Sequence, residues 1–210
     1  MAIIVEHEKR RREILEKALD VFVDEGFEDA TFQKIAARCG ITRTTLYIYF
    51  KNKKEIFYYS IKQLLMEVEG DIIKVRADTG LNSVERIIRV VVDIIERLEK
   101  NRRLLLVVLD YLLYLPKSDT DPDSRVRRRT IRLRHFLATM VIDGIRAGEI
   151  LPVNVKTADE LLYSLIESAI YRLVILKRES VGDLKEVVEL TVRHMAALAP
   201  AEAAAKANTI

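Results

Sequence analysis

A basic segment without any acidic residue lies near the N-terminus, between Thr31 and Lys54. The net charge of the whole chain is only +3, so the positive charge that could bind a polyanion is concentrated locally. Lysine and arginine bind phosphate oxygens, and arginine also pairs with guanine edges. This segment therefore predicts nucleic-acid binding. Its cations are Lys34, Arg38, Arg43, Lys51, Lys53 and Lys54.

Two short helices are predicted within this segment. Thr31 can cap the first helix, and Gly40 ends it because glycine readily adopts a left-handed backbone. Thr42 can cap the second helix, on which Leu46 and Phe50 face inward. Two helices joined by a glycine-containing turn are typical of a helix-turn-helix. The sequence therefore predicts that the protein binds DNA.

The second helix has an outward face that can be derived from its period. If Leu46 faces the core, the helical repeat places Thr44 and Ile48 outward, with Thr45 and Tyr47 beside them. Ile48 offers no hydrogen bond and is a candidate for contact with a thymine methyl group, while Arg43 could pair with guanine. The alternative is an ordinary polar surface with scattered apolar groups.

The rest of the chain is predicted to consist of helices. The first runs over residues 8–25 and stops at Gly26, and the fourth runs over residues 53–76. Capping boxes at Asn82 with Glu85 and at Thr157 with Glu160 predict two further helix starts. No segment alternates with a two-residue period, so no strands are expected. The predicted fold is all-α, with about nine helices.

The predicted helices divide into three regions. Residues 1–52 form a DNA-binding head of three helices, residues 53–199 form a helical body, and residues 200–210 form an alanine-rich tail that frays. The segment from Pro116 to Asp123 is the clearest loop in the chain. The single cysteine, Cys39, lies on an inner helix face and is predicted to be a buried structural thiol.

The sequence also argues against several functional classes. It lacks a nucleophile elbow, a phosphate-binding glycine loop and an HExxH pair, and its three histidines are scattered. Neither a signal peptide nor an apolar run long enough to span a membrane is evident. We expect a cytoplasmic protein that is not an enzyme, with no catalytic residue, no metal and no cofactor.

The motif T-x-x-x-I-A-x-x-x-G-I-T-x-x-T-L-Y-x-Y-F-x-N-K, from Thr31 to Lys53, resembles the DNA-binding head of the tetracycline-repressor (TetR) family. With the preceding helix, the resemblance covers about residues 9–60. It implies that the third helix enters the major groove, that Gln33 reaches base edges and that Thr31 and Lys53 contact phosphates. The positions on the third helix that match the family's DNA contacts are Thr42, Arg43, Thr44, Thr45, Tyr47 and Tyr49.

The resemblance further implies a homodimer formed through the last two helices, with an effector-binding core in the body. The helix predicted over residues 157–178 is apolar nearly all round, as packing on two sides requires. A twofold dimer would need a palindromic operator with two half-sites. The alternative is that this helix is the centre of a monomeric core.

Candidate effector contacts in the body are less distinctive. Tyr163, Glu167 and Tyr171 recur at four-residue steps and could line a pocket for a cationic or hydroxylated ligand, or form the wet edge of the helix. Six arginines between residues 125 and 134 could bind an anion or form a solvated face. Apolar candidates for the pocket wall, which could equally be plain core, are Tyr111, Tyr114, Phe136 and Met140.

These observations predict a ligand-responsive transcriptional repressor. Effector binding would favour a separation of the two heads that no longer fits successive major grooves. An activator or an effector-independent repressor would have the same sequence features. A different class, an all-helical small-molecule-binding or adaptor protein whose head does not read DNA, is also compatible with the body.

Overall fold

The computed structural model describes residues 2–114 and 122–197, except for the side chains of some helical residues. Within these two ranges the chain forms no strand and only one isolated bridge, between Ile150 and Ala196. The all-α prediction is confirmed. The helices are α1 (Ala2–Asp29), α2 (Phe32–Cys39), α3 (Arg43–Tyr49), α4 (Lys53–Ala77), α5 (Ser83–Lys100), α6 (Arg102–Tyr114), α7 (Pro122–Arg146), α8 (Val155–Val174) and α9 (Asp183–Arg193).

The ends of α2 and α3 follow the predicted local chemistry. The Thr31 hydroxyl accepts a hydrogen bond from the Lys34 amide, and Gly40 ends α2 in the left-handed region at φ 69°. The Thr42 hydroxyl accepts from the Thr45 amide at 3.1 Å, which caps α3. These contacts join residues three positions apart or fewer, so the sequence alone could predict them.

One predicted helix boundary is confirmed and one is wrong. At φ 79° and ψ 170° Gly26 breaks the helix, as predicted, although helical turns resume after it and α1 continues to Asp29. Thr157 does not cap α8, because the Asn154 side chain accepts the Thr157 amide and the helix begins at Val155. By contrast, the capping box of Asn82 and Glu85 at the start of α5 is confirmed.

The chain folds into two compact units. The first comprises Met1–Asp71 with Arg103–Leu115, so that α6 belongs to the same unit as α1, α2 and α3. Its core contains Phe22, Ile35 and Leu46, and Tyr111 of α6 packs against this cluster. The unit is therefore larger than the predicted head of residues 1–52, whose role as the part that binds DNA stays a prediction.

The second unit comprises Ile72–Arg102 with Pro116–Ile210. Leu137 of α7, Leu162 of α8 and Val188 of α9 are fully buried in it. Gly144 of α7 lies so close to Ile150 that a β-carbon there would sit 2.5 Å from the Ile150 side chain. The close packing of α7 against the segment after it therefore requires glycine at position 144.

Some predicted features fall outside the described residues. The tail of residues 200–210 and the loop before Pro122 are among them, as are the side chains of Tyr114 and of three arginines in the run from 125 to 134. Among the helices that the structure does describe, none combines the length and the apolar character that crossing a membrane requires.

Candidate nucleic-acid interface

The core of the first unit fixes the orientation of α2 and α3. Leu46 of α3 and Ile35 of α2 are fully buried, together with Ile14 and Phe22 of α1. Complete burial of an aliphatic or aromatic side chain stabilises a fold by about 1.5–3 kcal/mol. With their inner faces held in this way, the short helices α2 and α3 must turn their remaining faces to solvent.

The outward face of α3 carries the residues that the helical period predicts. Thr44 is exposed, and Tyr47 and Ile48 are 50% and 69% exposed. No other large apolar side chain in the described ranges has a higher exposed fraction than Ile48. Thr45 and Tyr49 are half-buried at the edges of this face. An isoleucine held outward among hydroxyls is available for apolar contact with a partner.

Arg43 and Tyr47 form a pair one helical turn apart. The Arg43 guanidinium donates to the Tyr47 hydroxyl at 3.2 Å, and its carbon lies 5.6 Å from the centre of the Tyr47 ring. Tyr47 also contacts Phe32 of α2, with ring centroids 4.6 Å apart. Because a guanidinium has five N–H groups, this pairing orients Arg43 and leaves donors for a base or a phosphate.

The threonine hydroxyls at the helix starts are already engaged as caps. Thr42 and Thr45 hydroxyls are 2.8 Å apart, and the Thr31 hydroxyl accepts from the Lys34 amide at 3.2 Å. The Thr31 hydroxyl, which accepts from the backbone, can still donate its own hydrogen to a phosphate oxygen, whereas the Thr42 and Thr45 pair has only one hydroxyl hydrogen left to donate. Gln33 of α2 is exposed beside them.

Lys53 has a structural role in addition to the one implied by the resemblance. Its ammonium donates to the backbone carbonyls of Phe27 at 2.9 Å and Glu28 at 2.7 Å, and lies 4.7 Å from the centre of the Phe27 ring. These bonds satisfy carbonyls at the end of α1. An ammonium has three donors, so one remains for a phosphate.

Acidic residues of α1 neutralise part of the basic segment. Lys34 pairs with Glu25 at 2.6 Å, and Arg38 pairs with Asp24 at 3.0 Å. The hydrogen bond from Arg38 holds the pKa of Asp24 below its ordinary value, and Arg103 of α6 adds to this effect. The acid-free sequence between residues 31 and 54 therefore overstates the positive charge that is left for DNA.

Cys39 is buried on the inner face of α2, as predicted. Burial raises the pKa of its thiol, and its sulfur lies 3.9 Å from the Ile14 carbonyl oxygen. A thiol in this setting is poorly reactive.

A family model supports this geometry. The model described as bacterial regulatory proteins, tetR family, matches residues 14–59, which span the described core from α1 into α4. Residues 14–59 are a TetR-family DNA-binding head. With the similarity to known regulators, this match supports a DNA-binding transcriptional regulator with a helix-turn-helix, in agreement with the prediction from the motif of Thr31–Lys53.

The similarity to known TetR-type proteins extends beyond the head. The fatty acid metabolism regulator protein of Bacillus subtilis is 25% identical over 163 residues, which cover 75% of this chain and 80% of that protein. A TetR transcription regulator from Haloarcula marismortui has the same fold, with a TM-score of 0.76 at 18% identity over 90% of this chain and 100% of that one.

A third comparison concerns a structure with a bound ligand. FadR from Bacillus subtilis in complex with stearoyl-CoA superimposes with a TM-score of 0.64 at 21% identity, over 87% of this chain and 96% of that one. At this identity the superposition establishes a shared fold. All three are described as regulators of transcription or metabolism.

The candidate effector residues on α8 differ in their surroundings. Tyr163 is half-buried; its hydroxyl is 3.3 Å from the Thr130 hydroxyl, and the Arg134 guanidinium carbon lies 5.6 Å from its ring centre. Glu167 is exposed and Tyr171 is 53% exposed. Tyr163 thus belongs to a packed polar cluster, whereas Glu167 and Tyr171 lie at the surface.

The apolar candidates occupy packed positions. Tyr111 lies in the first unit, with its ring centre 4.4 Å from that of Phe27 and 4.9 Å from that of Phe57. In the second unit Met140 is buried, and Phe136 is half-buried beneath Arg76. Their role as a pocket wall stays a prediction.

The described part of the arginine run has mixed surroundings. Arg134 donates to Asp159 at 2.9 Å and also pairs with Glu160. The second carboxylate oxygen of Asp159 is buried without a hydrogen-bond partner among the described atoms. Arg128 is exposed. At least one arginine of the run is therefore neutralised by α8 rather than left to bind an anion.

Proposed function

We propose that this regulator is a repressor that binds a palindromic operator as a homodimer and is released by a small-molecule effector. The observation that carries the DNA contact is the outward face of α3, where an exposed isoleucine and tyrosine stand beside Arg43 in a helix that carries no acidic residue. Hydroxyls and cations match phosphate oxygens, and apolar groups match thymine methyls.

The proposed DNA contacts divide by chemistry. Arg43, Tyr47 and Ile48 would read base edges; their exposure on α3 supports this assignment. Gln33 would reach bases from α2. The residues proposed to hold the phosphate backbone are Thr31, Thr42, Thr44, Thr45, Tyr49 and Lys53.

A selected duplex tests this assignment. The parent protein first selects its preferred duplex from a random pool, and the affinities of Tyr47→Ala and Arg43→Ala for that duplex are then measured by fluorescence anisotropy. Both variants should lose sequence-specific binding while keeping the parental melting temperature. Equal affinity of variant and parent would refute the assignment. Tyr58→Ala, an exposed tyrosine on α4 outside the proposed DNA and dimer surfaces, is the matched control.

The homodimer is supported by apolar side chains that α8 and α9 expose. Tyr171, Ile175 and Leu190 are 53%, 62% and 61% exposed, although the opposite faces of these helices are buried. Clustered exposed apolar side chains mark surfaces that another protein covers. Sedimentation equilibrium of the purified protein should give twice the mass of the chain; a single-chain mass at micromolar concentration would refute the dimer.

The effector is proposed to bind in the second unit and to shift the population of head separations. The resemblance to a fatty acid metabolism regulator, and to a fold neighbour in complex with stearoyl-CoA, makes a long-chain acyl-CoA the first candidate. Candidate contacts within this unit remain Tyr163, Glu167, Tyr171, Phe136 and Met140. Arg128 could pair with a phosphate of such a ligand.

Three probes distinguish the parts of this effector. Stearoyl-CoA, stearate and coenzyme A are each titrated into the complex of protein and selected duplex. Release by stearoyl-CoA alone supports an acyl-CoA effector, and release by stearate alone indicates that the acyl chain suffices. No release by any of the three excludes this class, and native mass spectrometry of the purified protein would then identify a ligand that co-purifies.

The competing function is an adaptor whose head does not read DNA. A protein that engages phosphates loses affinity steeply with salt, with a slope of about −0.9 for each phosphate neutralised. A flat salt response for DNA would favour the adaptor.

A further inference from the structure

The inner face of α1 changes its chemistry towards the N-terminus. Phe22, Ala18 and Ile14 are buried apolar residues spaced along one face of the helix. Continuing this face from Ile14 by a step of three and then of four residues leads to Arg11 and then His7. The stripe that packs α1 on the head therefore ends in two residues that can carry positive charge.

Both residues stack on aromatic rings that lie outside α1 but within the first unit. The Arg11 guanidinium carbon lies 4.4 Å from the centre of the Tyr59 ring and 5.1 Å from the centre of the Phe50 ring. The His7 and Tyr49 rings are stacked, with centroids 4.6 Å apart and planes inclined by 24°. Tyr49 is the last residue of α3, so His7 stands directly beside the proposed DNA-binding helix.

The stacks leave hydrogen-bonding groups available. The nitrogens of an imidazole and of a guanidinium lie at the edges of their planes, so stacking on a face does not block them. His7 is exposed, and no described carboxylate pairs with either His7 or Arg11. The neighbouring Arg10, by contrast, is bound to Glu13 at 2.9 Å.

We propose that His7 and Arg11 form a further phosphate-binding site, which extends the DNA interface from α3 onto α1. The proposal rests on the DNA contact through α3 put forward above. Tyr49 holds the His7 ring in place, and the edge nitrogens of His7 and Arg11 donate to a backbone phosphate next to the one that Tyr49 contacts. The site strengthens binding without reading sequence.

The test removes the donors while keeping the stacks. Phenylalanine at position 7 retains a ring over Tyr49, and methionine at position 11 retains a long apolar stem, so His7→Phe and Arg11→Met should melt like the parent. Their affinities for the selected duplex are measured between about 50 and 200 mM KCl. Each variant should bind roughly fivefold more weakly. The slope of log affinity against log salt should fall by about 0.9 for each phosphate that the variant no longer neutralises.

Matched controls separate a specific phosphate site from general charge. Arg12→Met removes one cation from the exposed side of the same turn, and His135→Phe replaces an exposed histidine of α7. Both should keep the parental slope. An equal loss of affinity in Arg12→Met and Arg11→Met would overturn the proposal in favour of a diffuse charge effect.

Two further outcomes would also overturn it. Parental slopes in His7→Phe and Arg11→Met, with specific binding still abolished in Tyr47→Ala, would refute the α1 site and leave the α3 interface intact. If Tyr47→Ala also bound like the parent, the proposed interface itself would fail. A lower melting temperature with an unchanged slope would assign both residues a purely structural role.

Discussion

The outward face of α3 and the outer faces of α8 and α9 both expose large apolar side chains, but their neighbours differ. Ile48 on α3 lies among hydroxyls and Arg43, in a helix without any acid. Leu190 on α9 lies in a helix that carries both acidic and basic residues. An exposed apolar group therefore does not identify its partner by itself. The polar groups around it identify the partner. Phosphates are bound by hydrogen-bond donors and cations, whereas a second copy of the chain is matched by a surface that carries both signs of charge.

The two surfaces also differ in what holds them. Helix α3 has only seven residues, far fewer than an isolated helix needs to be stable in water, so its shape depends on the buried Leu46. Helix α8 has 20 residues, and Leu162, Ile166 and Leu173 anchor it along its length. The proposed DNA-reading face should thus be sensitive to core changes beneath it, and the proposed dimer face to changes on its surface.

The largest effect is expected from Leu190→Asp. A carboxylate at this exposed position would prevent α9 from being covered by a second copy, because burying an unpaired charge is costly. The loss of paired half-site binding should weaken operator affinity by about 10²–10⁴-fold and halve the salt slope. Sedimentation should give the single-chain mass, with a parental circular dichroism spectrum. A dimer that persists in this variant would remove α9 from the interface.

Leu46→Ala tests the support of the DNA-reading face. The side chain is fully buried, and such truncations cost about 2–5 kcal/mol in the free energy of unfolding. Chemical denaturation followed by circular dichroism would measure the loss. We expect specific binding to weaken as well, because α3 loses its anchor. A loss below about 1 kcal/mol would mean that the core repacks around the cavity.

Ile48→Ala should separate recognition from stability on the same helix. At 69% exposure the side chain contributes little to folding, so the melting temperature should not change. Affinity for the selected duplex should fall by about 1 kcal/mol, roughly fivefold, if the residue contacts a thymine methyl.

Replacing each thymine of that duplex with deoxyuridine is the matched control. At one thymine position the replacement should weaken binding of the parent by a similar factor. At that position it should not weaken binding of Ile48→Ala any further. Independent, additive losses would contradict a contact between Ile48 and that methyl group.

The smallest effect is expected in the second unit, at Glu149. Its carboxylate accepts the Ser83 amide at 2.7 Å, and the hydrogen bonds from Ser83 lower its pKa below the ordinary 4.5. A carboxyl group whose pKa is lowered by folding stabilises the folded state at pH values above its ordinary pKa. This stabilisation is lost as the pH falls through the lowered pKa. Glu149→Gln should melt slightly lower at neutral pH, with a difference that disappears under acid. Melting curves between about pH 3 and 7 would show it, and operator affinity at neutral pH should not change.

The sequence predicted contacts between near neighbours better than contacts between distant segments. The caps of Thr31 and Thr42 and the outward position of Ile48 follow from spacings of a few residues. The bond from Lys53 to the Phe27 carbonyl joins residues 26 positions apart, so no local pattern reveals it. For the same reason the pairing of Arg38 with Asp24, which reduces the charge left for DNA, was not foreseen.

The wrong start predicted for α8 has a local cause. Asn154 and Thr157 both have good capping chemistry, and the earlier residue prevails because asparagine is the stronger cap and starts the helix one turn sooner. His7 was missed as a site residue because a stack on Tyr49, on another helix, leaves no mark in the sequence. The only sequence signal for this site was that basic residues, Arg11 and His7, continue the apolar stripe of α1.

The membership of α6 in the first unit bears on how such regulators could be recombined. Tyr111 covers the Phe27 and Phe57 rings, and Arg103 shares Asp24 with Arg38 of α2. A chimaera that joins residues 1–60 to the body of another regulator would lose these contacts and expose part of the Phe27 and Phe57 rings to solvent. The head is therefore not an independent module, and an exchange between relatives would have to include a matching α6.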